Sequence, residues 1–207
     1  MLLRTSVFLD LLGATRSYPI TDRLLSGLSH PEQVAEFARR GMTLAQLREK
    51  DLSSAEFYRE ARQVMAFARQ RNIKIIINDR VDIALALGAD GVHLGQDDLP
   101  VEAARRLLGN DVLIGLSTHN LDQAQRAARL PIDYLAIGPI FPTRTKDSTN
   151  PAVGLSRLAA VRSAVPNLPL VAIGGVKEAN RRSVLAAGAD AVALISDLWA
   201  HKSPGTS

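Results

Sequence analysis

The stretch IIINDRVDIALALGADGVHLGQDDLP, from Ile75 to Pro100, decides how the rest of the chain is read. It opens on a pure apolar run, Ile75-Ile76-Ile77, which stops at Asn78-Asp79-Arg80. A short helical pattern follows, Val81 to Leu87, with Gly88 just past its end. A second apolar run, Val92-His93-Leu94, stops at Gly95-Gln96-Asp97-Asp98. A strand that returns through a helix to a second strand is parallel to it. Both strand ends then lie on one face, and both carry carboxylates. Asp79 and Asp98 are therefore expected to approach each other. Two such carboxylates suit a hard divalent cation. They suit helix capping equally well, because Asp after a strand often opens the next helix. Spacing alone does not choose between the two.

The same alternation recurs on either side. Strands are expected at 18–21, 43–47, 74–78, 91–94, 112–117, 134–138, 170–173 and 191–195. Helical patterns fill 31–40, 53–70, 81–87, 100–108, 121–128, 155–165 and 178–187. The strands are continuous Val/Ile/Leu runs, as when both faces are buried. Eight parallel strands with crossover helices close into a TIM (β/α)8 barrel, an α/β fold in a single domain. The phrases LGADGVHLG and AGADAVALI look like one helix-to-strand module used twice. The rival is an open doubly wound sheet, but no G-x-G-x-x-G follows an early strand. Residues 1–16 are expected as an N-terminal arm or short helix, 17–200 as the barrel, and 201–207 as a disordered tail. The N-terminus faintly resembles a signal peptide, but Asp10 interrupts its apolar part and no small-x-small cleavage site follows.

Composition narrows the function. Of the 207 residues, 46% are apolar and 22% charged, enough to bury a substantial core. The net charge of +4 is spread along the chain, and aromatics amount to five Phe, three Tyr and one Trp. Basic and aromatic residues do not interleave, so nucleic-acid binding has little support, whereas a small anionic substrate fits. There is no cysteine, which removes disulfides, thiolate metal sites and thiol nucleophiles and suits a reducing cytoplasm. No apolar run approaches the roughly 18 residues of a membrane span.

In such a barrel the chemistry collects at the C-terminal strand ends. In order these carry Asp22, Arg48 with Lys50, Asn78 with Asp79, Asp98, Ser117, Thr143 with Thr145 and Lys146, Gly174-Gly175, and Ser196. The opposite ends read as mostly apolar or Gly/Pro. Arg48 and Lys50, two apart on an extended segment, share a direction and form an anion clamp beside the carboxylates. Lys146 closes the long loop GPIFPTRTK, either a phosphate-binding lid or an ordinary surface loop. Gly174-Gly175 and Ser196 sit where barrels bind phosphate with backbone N–H groups, though the glycines also suit a tight turn. Two anion pockets result, one strong enough for a pyrophosphate and one sized for a monophosphate. His93, mid-strand, reads as core rather than catalytic, and His119 at the mouth reads as a substrate-binding aid. No Ser-His-Asp pattern or nucleophile elbow is present.

These residues resemble the thiamine phosphate synthases. The matching segments are YPITD from Tyr18, QLREK from Gln46, INDRVDIALALGADGVHLGQDDLP from Ile77, IGLSTH from Ile114, GPIFPTRTK from Gly138, AIGGV from Ala172 and ADAVALIS from Ala189. The resemblance implies condensation of 4-amino-2-methyl-5-hydroxymethylpyrimidine diphosphate with 4-methyl-5-(2-phosphooxyethyl)thiazole, or its carboxylated form. Thiamine phosphate and pyrophosphate result, with Mg²⁺ as cofactor and a pyrimidine cation on the path. It further implies that Gln46, Arg48, Lys50, Asn78, Ser117 and Lys146 hold the pyrimidine diphosphate, with Arg48, Lys50, Ser117 and Lys146 as the catalytic set. Asp79 and Asp98 would ligate Mg²⁺, leaving Asp97 a bystander. Thr143, Thr145, Gly175, Ile195 and Ser196 would hold the thiazole phosphate. The implied partners are two small phosphorylated substrates, with neither nucleic acid nor membrane and with a homo-oligomer left open. The lead-in Gly41-Met-Thr-Leu-Ala and residues 1–17 depart from the family pattern without touching a named contact. The thiazole tautomerase branch of the superfamily is the nearest alternative, but it needs no pyrophosphate clamp. A non-catalytic phosphate-binding barrel is the other.

Overall fold

Alternation of apolar runs with amphipathic segments produces eight strands: β1 Ser17–Pro19, β2 Leu44–Leu47, β3 Lys74–Asn78, β4 Gly91–Leu94, β5 Leu113–Thr118, β6 Tyr134–Ile137, β7 Leu170–Ala172 and β8 Ala191–Leu194. The computed structural model describes residues 2–143 and 151–199, with side chains from residue 7 onward. The tail 201–207 and the loop residues Thr145 and Lys146 lie outside the described residues. From β2 to β8 each strand pairs in parallel with the next, and β1 pairs with β8. The β1–β2 seam is a single bridge, Ile20 to Gln46, extended by the Thr21 N–H donating to the Gln46 carbonyl at 2.9 Å. The barrel expected from the sequence is therefore the one observed.

The helices are α1 Leu2–Leu12, α2 Arg23–Ser26, α3 His30–Arg39, α4 Ser54–Gln70, α5 Val81–Leu87, α6 Val101–Leu108, α7 Leu121–Ala127, α8 Gly154–Ala164 and α9 Glu178–Ala186. α4 shows why they form. Ser53 accepts from the Glu56 N–H at 3.3 Å, and Glu56 accepts in return from the Ser53 N–H at 3.0 Å. Phe57, Ala61, Val64, Met65 and Ala68 make its buried stripe. The short α2, capped by Asp22, and a 3-10 turn at Ser196–Leu198 carry no periodicity long enough to be read from sequence.

Strand residues alternate between two apolar clusters. One phase, including Ala45, Leu47, Ile75, Ile77, Val92, Leu94, Leu135 and Ile137, packs with the helices. The other, including Tyr18, Ile20, Leu44, Ile76, Leu113, Tyr134, Ala136, Val171, Ala191 and Ala193, fills the barrel. Large and small residues compensate there: a side chain at Gly115 would collide with the Tyr134 ring. From α1, Phe8 and Leu12 join this interior cluster, and Phe8 stacks on Tyr134 with ring centroids 4.0 Å apart.

The N-terminal face of the barrel corrects one sequence expectation: it is not merely apolar. Asp90, Asp133 and Asp190 each stand just before an even strand. Each carboxylate accepts the N–H of Ile75, Ile114 or Leu170 at 2.9, 2.7 and 2.8 Å respectively. Each also pairs with a cation, Lys74 at 2.8 Å and Arg105 and Arg162 at 2.7 Å. These Asp residues satisfy an N–H at the start of the neighbouring odd strand, from its first or second residue. The clip occurs three times, twice from the repeated GAD module and once from Pro131-Ile132-Asp133. Among the described residues no helix is long and apolar enough to cross a membrane.

Candidate active site at the barrel mouth

The interior phase of the strands runs upward into the mouth. Gln46, Asn78 and Ser117 continue the alternation begun by Leu44, Ile76 and Leu113, so three polar groups replace apolar ones near the C-terminal end. Gln46 and Asn78 are 1% and 4% exposed, which makes them buried polar groups rather than surface decoration.

The segment after β2 holds the cations. Arg48 is mostly buried and lies 3.3 Å from Asp22, while the Lys50 ammonium contacts Asp79 directly. Glu49 between them turns the other way. One of its oxygens accepts the N–H groups of Lys50, Asp51 and Leu52 at 2.7, 2.6 and 3.2 Å. The other oxygen meets His30 Nε2 at 3.1 Å. His30 Nδ1 reaches the Thr21 hydroxyl at 2.8 Å, and that hydroxyl accepts the Arg48 N–H at 3.0 Å. Burial holds the His30 imidazole below its usual range, so its contact with Glu49 is a hydrogen bond from a neutral ring. Burial alone would raise Glu49, but the three backbone donors and His30 outweigh it and hold the carboxyl low. One carboxylate therefore shapes the loop that carries both cations.

The two carboxylates are not helix caps. The N-cap of α5 is Arg80 and that of α6 is Pro100, neither with a side-chain cap. Asp98 instead accepts the Gly95 N–H at 2.6 Å. Its carboxyl is pushed up, first by burial and then by the Asp79 carboxylate beside it, against the pull of the Gly95 N–H and Lys50. Asp79 has φ of 62°, a left-handed conformation that Asp tolerates better than most residues. Strain of this sort persists where surrounding structure holds it. The pair supplies hard oxygen donors, and among the described residues no group of three or more His, Cys, Asp or Glu is placed to hold a metal ion. Asp97 is exposed.

A second cleft opens on the other side of the mouth. Ser117, His119, Thr143, Gly175, Ile195 and Ser196 line it. Gly174 and Gly175 have φ of 89° and 67°, and a Cβ there would lie 2.5 Å from Pro139 and 2.7 Å from Phe141. The tight turn anticipated for the glycines is thus real, imposed by the β6 loop against them. Among the described residues the N–H groups of Gly174, Gly175 and Val176 donate to no acceptor. His119 Nδ1 donates to the Gly138 carbonyl at 2.6 Å, which ties the two loops together.

A model of the thiamine monophosphate synthase family matches residues 17–198. The chain belongs to the thiamine monophosphate synthase family. It is 46% identical to the thiamine-phosphate synthase of Albidiferax ferrireducens, over 93% of this chain and 88% of that one. It is 47% identical to the thiamine-phosphate synthase of Chloroflexus aurantiacus, over 87% and 83% of the two chains. Thiamine phosphate pyrophosphorylase from Pyrococcus furiosus superposes with a TM-score of 0.80 at 35% identity, over 94% of this chain and 88% of that one. Membership carries an activity: the chain is an enzyme, a transferase that makes thiamine phosphate.

For this thiamine monophosphate synthase family member, three residues at the mouth escape a reading of motifs alone. Glu49, between the two cations in sequence, has no role in a motif reading, and alternation turns it away from them. Gln96 donates to the Ser117 carbonyl at 2.6 Å. His93, read as core, is 4% exposed and touches the Ser117 hydroxyl at 2.8 Å.

Proposed function

We propose that the chain joins the hydroxymethylpyrimidine diphosphate to the thiazole phosphate at this mouth, with the diphosphate on the Arg48–Lys50 side and the thiazole phosphate on the Gly175–Ser196 side. The observation that carries this is the grouping of Lys50, Asp79 and Asp98 across the mouth from a cleft where the N–H groups of Gly174, Gly175 and Val176 meet no acceptor among the described residues. Asp79 and Asp98 fit Mg²⁺: both are hard oxygen donors, and burial first, then the Asp79 carboxylate, disfavour a bare charge on Asp98 that a divalent cation would neutralise. When bound, Mg²⁺ supplies charge neutralisation of the pyrophosphate leaving group.

The remaining roles belong to side chains. Arg48, Lys50 and Lys146 place positive charge where the departing pyrophosphate gathers negative charge, which stabilises the transition state above the ground state. Ser117 donates to the same oxygens, and Gln46 and Asn78 hold the pyrimidine. The carbon–oxygen bond breaks with its electron pair leaving on pyrophosphate. The thiazole nitrogen lone pair then forms the new bond to the exposed methylene. Thr143, Thr145, Gly175, Ile195 and Ser196 fix the thiazole phosphate so that this nitrogen sits over the cation, a proximity effect. No protein nucleophile is required.

The test is an assay with both substrates, with and without Mg²⁺, measuring thiamine phosphate and pyrophosphate together. Equal amounts of both products, dependent on Mg²⁺, are expected. Thiazole isomerisation without pyrophosphate release would replace this reading with the tautomerase one.

A further inference from the structure

Five side chains form an unbroken hydrogen-bonded chain through the barrel interior. Gln46 Nε2 lies 3.1 Å from the Tyr18 hydroxyl, and Tyr18 lies 2.8 Å from the Tyr134 hydroxyl. Tyr134 lies 2.9 Å from His93 Nδ1, and His93 Nε2 lies 2.8 Å from the Ser117 hydroxyl. Tyr18 and Tyr134 are 1% and 0% exposed, so each phenol hydrogen must find an acceptor within the chain.

We propose that this chain is directional, with His93 a positioning residue that keeps the Ser117 hydroxyl hydrogen aimed at the bound diphosphate. The direction follows link by link. An amide nitrogen only donates, so Tyr18 accepts from Gln46 and must donate to Tyr134. Tyr134 has then accepted, and its own hydrogen goes to His93 Nδ1. A ring that accepts at Nδ1 carries its hydrogen on Nε2, which donates to the Ser117 oxygen. The serine hydrogen is left for another acceptor, and among the described residues the Ser117 hydroxyl meets only His93. A diphosphate oxygen is such an acceptor. Burial pushes both phenols well up, so each keeps the hydrogen the chain requires. The opposite direction would put the ring hydrogen on Nδ1, consume the serine hydrogen on Nε2 and aim lone pairs at an anion. The proposal rests on the reading of Ser117 as a diphosphate contact.

The experiment has a spectroscopic arm and a kinetic arm on the full chain. Nitrogen-15 NMR of histidine-labelled protein, with His93→Gln to assign the signals, locates the ring hydrogen. Nε2 is expected, and Nδ1 overturns the direction whatever the kinetics show. Tyr134→Phe keeps the ring stacked on Phe8 and removes only the relay hydroxyl. It should raise KM for the pyrimidine diphosphate about tenfold and leave KM for the thiazole phosphate unchanged, the loss expected when a hydrogen bond to a charged ligand is weakened. In a Ser117→Ala background the Tyr134→Phe change should cost nothing further. Full additivity, or an equal rise in both KM values, makes Tyr134 and His93 structural only and overturns the proposal. Ser117→Ala with unchanged diphosphate KM instead sinks the Ser117 contact itself, and the position of the ring hydrogen separates that failure from a misread direction.

Discussion

Replacing Glu49 by Ala tests whether the cation clamp is held from behind. The side chain is 4% exposed and accepts three backbone N–H groups plus His30 Nε2. In Glu49→Ala the loop N–H groups turn to water at small cost, but His30, 0% exposed, keeps a buried donor without a partner. Losing that partner costs about 1–3 kcal/mol, and the charge-assisted loop bonds add roughly another 1 kcal/mol. The sum, about 2–4 kcal/mol, lowers Tm by about 5–15 °C for a domain of this size. Arg48 and Lys50 also lose their fixed positions, because the Thr21–His30–Glu49 linkage anchors the Arg48 N–H. kcat/KM for the pyrimidine diphosphate should therefore drop about 10- to 100-fold, as misplaced binding groups do. KM for the thiazole phosphate should hold. Thermal melts and initial rates, varied one substrate at a time, read both effects. A lowered Tm with unchanged pyrimidine kinetics would show that Glu49 only supports the fold, and an unchanged Tm would refute the network.

Acid should weaken the fold early. His30 and Glu49 are both depressed in the folded state, so their stabilisation is complete above the ordinary values of 6.5 and 4.5 and is lost as pH falls through and below them. Denaturant melts between pH 7.5 and 5 should show stability falling first below about pH 6.5, and His30→Gln should flatten that upper limb. Gly175→Ala must hold φ of 67° with its Cβ against Phe141, so Tm should fall by several degrees and thiazole phosphate KM should rise; a normal KM would move the phosphate elsewhere. Asp98→Asn removes a carboxylate raised by burial and by its neighbour Asp79, so stability without metal should be unchanged or higher while the Mg²⁺ needed for half-maximal rate climbs about tenfold or more. An unaltered Mg²⁺ dependence takes Asp98 out of the metal site. Phe8→Ala opens a cavity against Tyr134 and should cost about 3–5 kcal/mol, measured by chemical denaturation.

Strand and helix positions were legible because both periods were clean: β3, β4 and α5 occupy the residues their patterns mark, and other boundaries shift by one or two. The mouth was legible for a related reason. In a parallel barrel every strand end is a functional address, so Asp79, Asp98, Arg48 and Lys50 could be assembled without knowing any distance. What escaped depends on the opposite phase or on long-range partners. Glu49 faces away from the mouth, and its meaning comes from His30 at the start of α3, 19 residues earlier. His93 reads as core because it is buried, yet burial of an imidazole between Tyr134 and Ser117 is what connects it to the site. The Asp90, Asp133 and Asp190 clips went unread, since the strand N–H each one holds lies 15 to 20 residues away in sequence.

The two faces of the barrel use the same residue types for opposite ends, and the completeness of pairing tells them apart. On the N-terminal face Asp90, Asp133 and Asp190 each have both a strand N–H and a cation. Arg105 and Asp133, 9% and 3% exposed, form such a pair at full satisfaction. At the mouth the count does not close. Asp98 is half-buried beside the Asp79 carboxylate, and Asp79 is met by the Lys50 ammonium. The N–H groups after β7 lack acceptors among the described residues. Leaving buried or strained groups unsatisfied costs stability, and selection tolerates that where a ligand completes the set. Filling the mouth should therefore stabilise the protein more than ion pairing on the other face can: Tm should rise when pyrophosphate and Mg²⁺ are added together, by more than with either alone. Independent, additive shifts would mean that the carboxylates and the cations do not share one ligand.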